Sequence, residues 1–397
     1  MTWLINIFLF FASFAIVLGF LVFIHEMGHY AVARLCNVAI ERFSIGFGKP
    51  LIKKRDSYGT DWTISSIPLG GYVKFAGDMG MASNPDHAQL EAMKKKAQSG
   101  EGGTELSRLF HFKPLWQRFL IVLGGPVANF LLAIVIFAVI ALSFGTQHMR
   151  SVVLDVMPGS AAEEAGVLFG DEFLQMDGQD VSFYKGLSAY VTLHSDKAIN
   201  TVISRDGEEL SLNLTPRRTE REDFLGGKNK TGMIGVRFGG EENLIRREYS
   251  VPQSLSYGVG EVGRTVSATG TYIKRIFSGK EDGSALGGPL RIATMTGKSS
   301  VDVAKLDISI GARIKAMFFT LLQLSAYLSI GLGVANLMPI PVLDGGHLLF
   351  YGYEAVAGRP LSQEKQDMGF RIGFALLITF MVLVTFNDIG YIRSFFS

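Results

Sequence analysis

The chain has 397 residues, of which 48% are hydrophobic and 19% charged, with a formal net charge of +2. A composition this apolar, with a mean hydropathy of +0.27, belongs to a membrane protein carrying some soluble mass, and so weak a net charge gives no global field for a nucleic-acid partner. The single cysteine, Cys36, rules out an internal disulfide and a cysteine-rich zinc site.

An almost wholly apolar run from Trp3 to Ile24 ends in His25-Glu26-Met27-Gly28-His29. On a helix, positions i and i+4 share a face, so His25 and His29 can grip one ion together, with Glu26 beside them to take a proton from water. A chance HExxH would sooner fall on a soluble helix, because ionisable groups at membrane depth are costly and mark function. The run is not read as a cleaved signal peptide, since it lacks a basic start and continues into the motif. Two further stretches, Phe119 to Phe144 and Ala316 to Met338, reach the roughly 20 apolar residues that a bilayer requires, and a fourth span is expected from about Phe370 to Val384, with a ragged end.

The loop from Asn37 to Arg118 carries Lys49, Lys53, Lys54, Arg55, Lys94-Lys95-Lys96, Arg108, Lys113 and Arg118. This basic excess beside two spans predicts a cytoplasmic loop and puts the large region 146–311 on the other side of the membrane. Within the loop, Phe43 to Ala76 reads as β-structure with glycine bends, next to the motif helix. An exposed strand edge there could hold a substrate in extended form; the alternative is a plain hairpin.

The second span holds Gly125 and, four residues on, Asn129. The glycine lets another helix approach, and the amide then faces a buried polar site. Asn129 could hold the oxygen of a tetrahedral intermediate or serve only as helix–helix glue.

From Met149 to Arg218 the pattern is that of a small β-barrel with two helices: strands at 151–156, 172–176 and 202–214, helices at 161–165 and 184–194, and turns at Asp177-Gly178 and Asp206-Gly207. Pro158-Gly-Ser-Ala-Ala-Glu-Glu-Ala-Gly-Val-Leu-Phe-Gly-Asp171 and Asp177-Gly178 resemble a PDZ domain of the bacterial kind, whose first strand is moved to the end. Such domains add a peptide strand to an open edge. The expected groove is the stretch through Val152, Val153 and Leu154, facing the 184–194 helix; the alternative is a domain that blocks access by bulk alone. Residues 221–231 read as a polar, glycine-rich linker, 233–238 as one more strand, and 252–277 as an amphipathic helix.

The third span ends in Asn336-Leu-Met-Pro339-Ile-Pro341-Val-Leu-Asp344-Gly345-Gly346-His347. Two prolines break the helix, and irregular backbone at membrane depth is tolerated only inside protein or at a wet cavity. A hydrolytic zinc site usually takes three protein ligands and keeps one position open. Asp344 is the expected third ligand, with His347 as competitor and a turn or helix cap as the plain alternative. Asn336 could bind a substrate backbone or join helices.

Together, HEMGH, Gly125-xxx-Asn129 and Asn336-xx-Pro339-x-Pro341-x-Leu-Asp344-Gly345 resemble the site-2 proteases. Within them, the chain is similar to the bacterial regulator-of-sigma-E protease (RseP-like) group. The resemblance covers nearly the whole chain. It implies a zinc-dependent intramembrane endopeptidase in which His25, His29 and Asp344 bind Zn2+, Glu26 is the catalytic base, and Asn129, Asn336 and Pro339 lie along the substrate. It also implies the bacterial inner membrane, with the PDZ-like domain periplasmic and the active site near the cytoplasmic face. The implied substrates are single-pass membrane proteins, either anti-sigma-factor-like proteins after a first cleavage or signal-peptide remnants. One departure is that the best-known members carry two tandem PDZ domains, whereas this chain has length for one. A silent membrane scaffold recruiting partners through the PDZ-like domain is the alternative, and an intact ligand set with its base argues against it. A transporter would want ionisable groups across several spans and internal symmetry.

The expected fold is a multi-pass α-helical membrane protein with four transmembrane helices, a cytoplasmic membrane-associated β region and an inserted PDZ-like α+β domain. Its expected parts are the first helix (1–36), the cytoplasmic loop (37–118), the second helix (119–145), the PDZ-like domain (146–220), a linker with an amphipathic helix (221–313), the third segment (314–350), and a cytoplasmic loop with the fourth helix (351–397).

Overall fold

The computed structural model describes residues 2–78, 106–222, 228–279 and 287–396. The basic run Lys94-Lys95-Lys96 lies outside the described residues. The chain divides into two compact units, Met1–Ile136 with Gly288–Thr385 and Phe137–Gly287 with Phe386–Ser397.

In the first unit, α1 (Thr2–Leu35) leads into β1 (Ile40–Arg55) and β2 (Asp61–Phe75). Both strands fold back on themselves. Residues 42–45 of β1 pair with 71–74 on one side and with 61–64 on the other, while 52–55 pair with 61–64 again. The bends need positive φ, supplied by Gly46 (85°), Gly48 (89°) and Gly70 (93°). Phe43, Val73 and Phe75 of this sheet pack with Ala33, Val38, Phe110 and Ile121 into one apolar cluster, which seats the sheet on α1.

Then comes α2 (Leu115–Phe144). After the second unit, the chain returns through α6 (Pro289–Ala304), α7 (Ile310–Asn336), α8 (Asp344–Ala357) and α9 (Gln363–Phe396). Four stretches are long and apolar enough to cross a membrane: Phe11–Leu35, Leu115–Phe144, Ile310–Asn336 and Gln363–Phe386. Helix α6 was not expected, because its buried side mixes Thr294, Thr296 and Ser300 with the small or short Ala293 and Val301 instead of forming a plain apolar stripe. Their hydroxyls donate to the carbonyls of Leu290, Ile292 and Thr296 one turn back, so no polar group is orphaned when the helix packs on α1 and α7.

The second unit holds β3 (Thr146–Met149), β4 (Val153–Val156), α3 (Ala161–Glu164), β5 (Glu172–Met176), β6 (Gln179–Asp180), α4 (Tyr184–Leu193), β7 (Ile199–Arg205), β8 (Glu208–Leu214), β9 (Arg217–Glu222), β10 (Lys228–Met233), β11 (Val236–Phe238), β12 (Leu244–Arg247) and α5 (Val251–Phe277). The sheet order is β6-β5-β7-β8, and β11 pairs with β4. Val153, Phe173, Met176, Leu187, Ile199, Ile203 and Leu214 form its core.

Three expectations are corrected in this unit. The stretch 221–231 is not a plain linker, since β9 and β10 pair over Arg217–Glu222 and Lys228–Met233. The domain does not end at 220: Ile234 is buried in the core, with Val236 and Phe238 packed against it. Val152, Val153 and Leu154 do not form an open groove. Val153 is fully buried, β11 covers one side of its strand, and on the other side its N–H donates to the Asp171 carbonyl. A strand hydrogen-bonded on both sides has no edge to offer.

Candidate metal centre

Both histidines of the motif lie on one face of α1, with ring centroids 4.8 Å apart and Nε2 atoms 3.2 Å apart. Helix α2 passes directly beside them. A Cβ on Gly125 would overlap both imidazoles, and one on Gly28 would overlap the Gly124 backbone. Small residues therefore let the two helices close until backbone meets ring.

That approach supplies the partners that orient the rings. His29 Nδ1 donates to the Ile121 carbonyl at 2.9 Å, which leaves the Nε2 lone pair facing inward. His25 Nδ1 lies 3.0 Å from Asn129 Nδ2, while Asn129 Oδ1 is buried with no partner. Amide nitrogen and oxygen are assigned from their partners. Turning the amide over lets His25 Nδ1–H donate to Oδ1 and puts both imidazoles in the same tautomer. Asn336 Nδ2, 3.3 Å from His25 Nε2, agrees with that tautomer, because only an unprotonated Nε2 can accept.

Asp344 arrives through the break after α7. Gly345 and Gly346 let the chain double back, since a Cβ on either would overlap the carbonyls of Leu337, Met338 or Ile340. Asp344 then opens α8. Its Oδ2 lies 3.2 Å from His25 Nε2 and its Oδ1 3.5 Å from His29 Nε2. Oδ2 is buried and makes no hydrogen bond, as expected where two lone pairs face each other. The three donor atoms lie within 4.8 Å of one another. Two imidazoles and one carboxylate, oriented from behind and with an unsatisfied oxygen between them, fit a zinc site that keeps a position open.

Glu26 is half-buried beside this group. The 71–73 stretch of β2 runs past it: a Cβ on Gly71 would come 3.1 Å from Glu26 Cγ. His347 stands outside the ligand group, with its ring 5.5 Å from Phe370. Pro339 is exposed in the turn. Asn129 was expected along the substrate. It is fully buried, with its amide against His25 Nδ1.

The Ile121 carbonyl carried no signal in the sequence, because any residue type supplies it. Arg118 and Glu354 were also missed. Their ion pair, 2.5 Å at its shorter contact, ties the start of α2 to α8, and Arg118 also lies over the Tyr351 ring.

Comparison with known proteins bears on this group. The profile of peptidase family M50 matches residues 13–380. The metalloprotease MmpA of Caulobacter vibrioides is 41% identical over 378 residues, covering 95% of this chain and 94% of that protein. A candidate zinc metalloprotease of Rhizobium meliloti is 41% identical over 381 residues, 96% of each chain. Another from Brucella suis is 41% identical over 377 residues, 95% of this chain and 94% of the relative.

Proposed function

Since the chain belongs to peptidase family M50, the site-2 proteases, and is a zinc metalloprotease of the membrane, we propose that His25, His29 and Asp344 hold its zinc and that Glu26 is the general acid–base. The observation that carries this reading is the meeting of three donors from α1 and the α7–α8 turn around an unsatisfied Asp344 oxygen. Bound zinc supplies a Lewis acid that polarises the scissile carbonyl and makes water nucleophilic near neutral pH.

The protein's own groups do the rest. Glu26 accepts a proton as water's oxygen bonds to the carbonyl carbon, and returns it to the amine nitrogen as the C–N bond breaks. Asn336, beside the open face of His25, donates to the carbonyl oxygen as it gains charge. The Ile121 carbonyl and Asn129 keep the imidazoles aimed. The Arg118–Glu354 pair holds the helix that begins at Asp344.

The substrates are transmembrane segments of single-pass proteins, either anti-sigma-factor-like proteins after a first cut or signal-peptide remnants. A helical peptide bond is shielded and must be unwound before attack. The 71–75 stretch of β2, unpaired on its outer side among the described strands, runs beside Glu26 and suits an added extended strand. The resemblance to the regulator-of-sigma-E protease group supports a reading in which the protein sits in the bacterial inner membrane. The basic loop then faces the cytoplasm, and a single PDZ-like module in 146–238 lies on the far side. The peptide edge of that module is β11, which among the described strands pairs with β4 alone and has Phe238 5.5 Å from Tyr184 of α4.

The test is the purified Glu26→Gln protein with a single-pass reporter substrate. It should carry one zinc per chain and retain the reporter, and cleavage should fall by at least about 10³-fold. A Glu26→Gln protein that still cuts at the wild-type rate defeats the assignment.

A further inference from the structure

A cavity of about 510 Å³ lies between the bent β1–β2 sheet and the turn that carries Arg108. Four cationic side chains line it, Arg42, Arg55, Lys74 and Arg108, against two carboxylates, Glu41 and Asp61. Both carboxylates are already engaged. Lys74 Nζ holds Glu41 at 2.8 Å, while Lys53 Nζ holds Asp61 at 2.9 Å with Arg55 Nε at 3.8 Å. Arg42 donates to the Tyr72 hydroxyl at 3.3 Å and makes no ion pair within 4 Å among the described residues, feeling Asp61 and Glu41 only through the field. Arg108 Nε is buried and has no hydrogen-bond partner. Cationic side chains gathered around a cavity cost stability unless an anion meets them, and the planar fork of a guanidinium matches phosphate oxygens.

The position of the cavity narrows the choice of anion. Tyr58, another lining residue, carries Arg34 over its ring at 3.8 Å, which ties the cavity to the last turn of α1. That helix is a candidate span ending at Leu35, whose side chain is 87% exposed. In a bilayer crossed by α1, a cavity with surplus positive charge at the end of that span would face the layer of lipid phosphates, with Leu35 beside it. We propose that this cavity binds the phosphate of an anionic phospholipid, with Arg108 and Arg42 as its charged contacts. The site is separate from the metal centre and independent of the proteolytic assignment.

The test uses the full-length, delipidated protein in detergent, titrated in native mass spectrometry with phosphatidylglycerol, phosphatidylcholine and inorganic phosphate. The wild type should hold one phosphatidylglycerol, with phosphatidylcholine about tenfold weaker. Arg108→Gln should weaken phosphatidylglycerol about tenfold, Arg42→Gln should do so by a smaller factor, and Arg108→Lys should restore part of the affinity. Lys365→Gln, an exposed basic residue outside the cavity, should bind as the wild type does. Zinc content reports that each variant is folded; if Arg108→Gln fails that check, Arg42→Gln and Arg108→Lys carry the test. Unchanged phosphatidylglycerol affinity in the folded arginine variants overturns the proposal, as does equal binding of the two lipids. Displacement of the lipid by millimolar inorganic phosphate would assign the cavity to a soluble phosphate and overturn the lipid source.

Discussion

Asp171 and Asp344 are both carboxylates drawn out of water, one in each unit, and their surroundings differ in kind. Asp171 has no exposed surface, and both of its oxygens are engaged: Arg205 donates to each at 2.7 Å, and the Leu168 N–H adds a third bond at 2.8 Å. Asp344 faces two imidazole nitrogens across 3.2 and 3.5 Å, and one of its oxygens has no hydrogen bond. A satisfied buried acid pins a turn, whereas an unsatisfied one among aligned lone pairs waits for a cation. What separates the two is therefore the state of their partners, not their burial.

The contrast can be broken by removing each acid. Asp344→Ala should abolish zinc binding and cleavage together while the other unit stays folded, read by metal analysis and by hydrogen exchange over β5–β8. Asp171→Ala should do the reverse. Zinc content should stay at one per chain, while the second unit loses roughly 2–4 kcal/mol because Arg205 is left without its partner; pulse proteolysis of the full chain reads that loss. Zinc loss in Asp171→Ala would show that the two units are not independent in this respect.

Glycines sharpen the same contrast with smaller effects. Gly125→Ala pushes a methyl into both imidazoles and should cut zinc affinity about 10–100-fold, measured by competition with a chelator. Asn129→Ala should fall at the low end of that range, about tenfold, because it removes the group that orients His25 without adding bulk. Gly178→Ala lies in open space, but its φ of 80° should cost about 1 kcal/mol of local stability and leave zinc untouched. Zinc affinity unchanged in Gly125→Ala would mean that α2 does not brace the ring pair.

Much of the molecule was legible because the physics is local. Two histidines four apart on a helix share a face whatever surrounds them, and two prolines followed by two glycines must break a helix and turn. The hairpin signals at Asp177-Gly178 and Asp206-Gly207 sit between the strand pairs β5–β6 and β7–β8, as periodicity required. The misses were non-local. Whether Val152 to Leu154 formed an edge depended on where residues 236–238 came to lie, more than 80 positions later. Helix α6 hid behind hydroxyls whose bonds to their own carbonyls cannot be read from residue type.

From sequence alone came the chemistry: a histidine pair with its acid on an apolar helix, a carboxylate after a broken one, and four spans. Tertiary structure alone brought Asp344 rather than His347 up to the histidine pair, set the Asn129 amide against His25, and laid the Ile121 carbonyl against His29 and the Gly71 backbone beside Glu26. The reason is that ligand identity is written in side chains, while orientation is imposed by whatever backbone happens to pass close by.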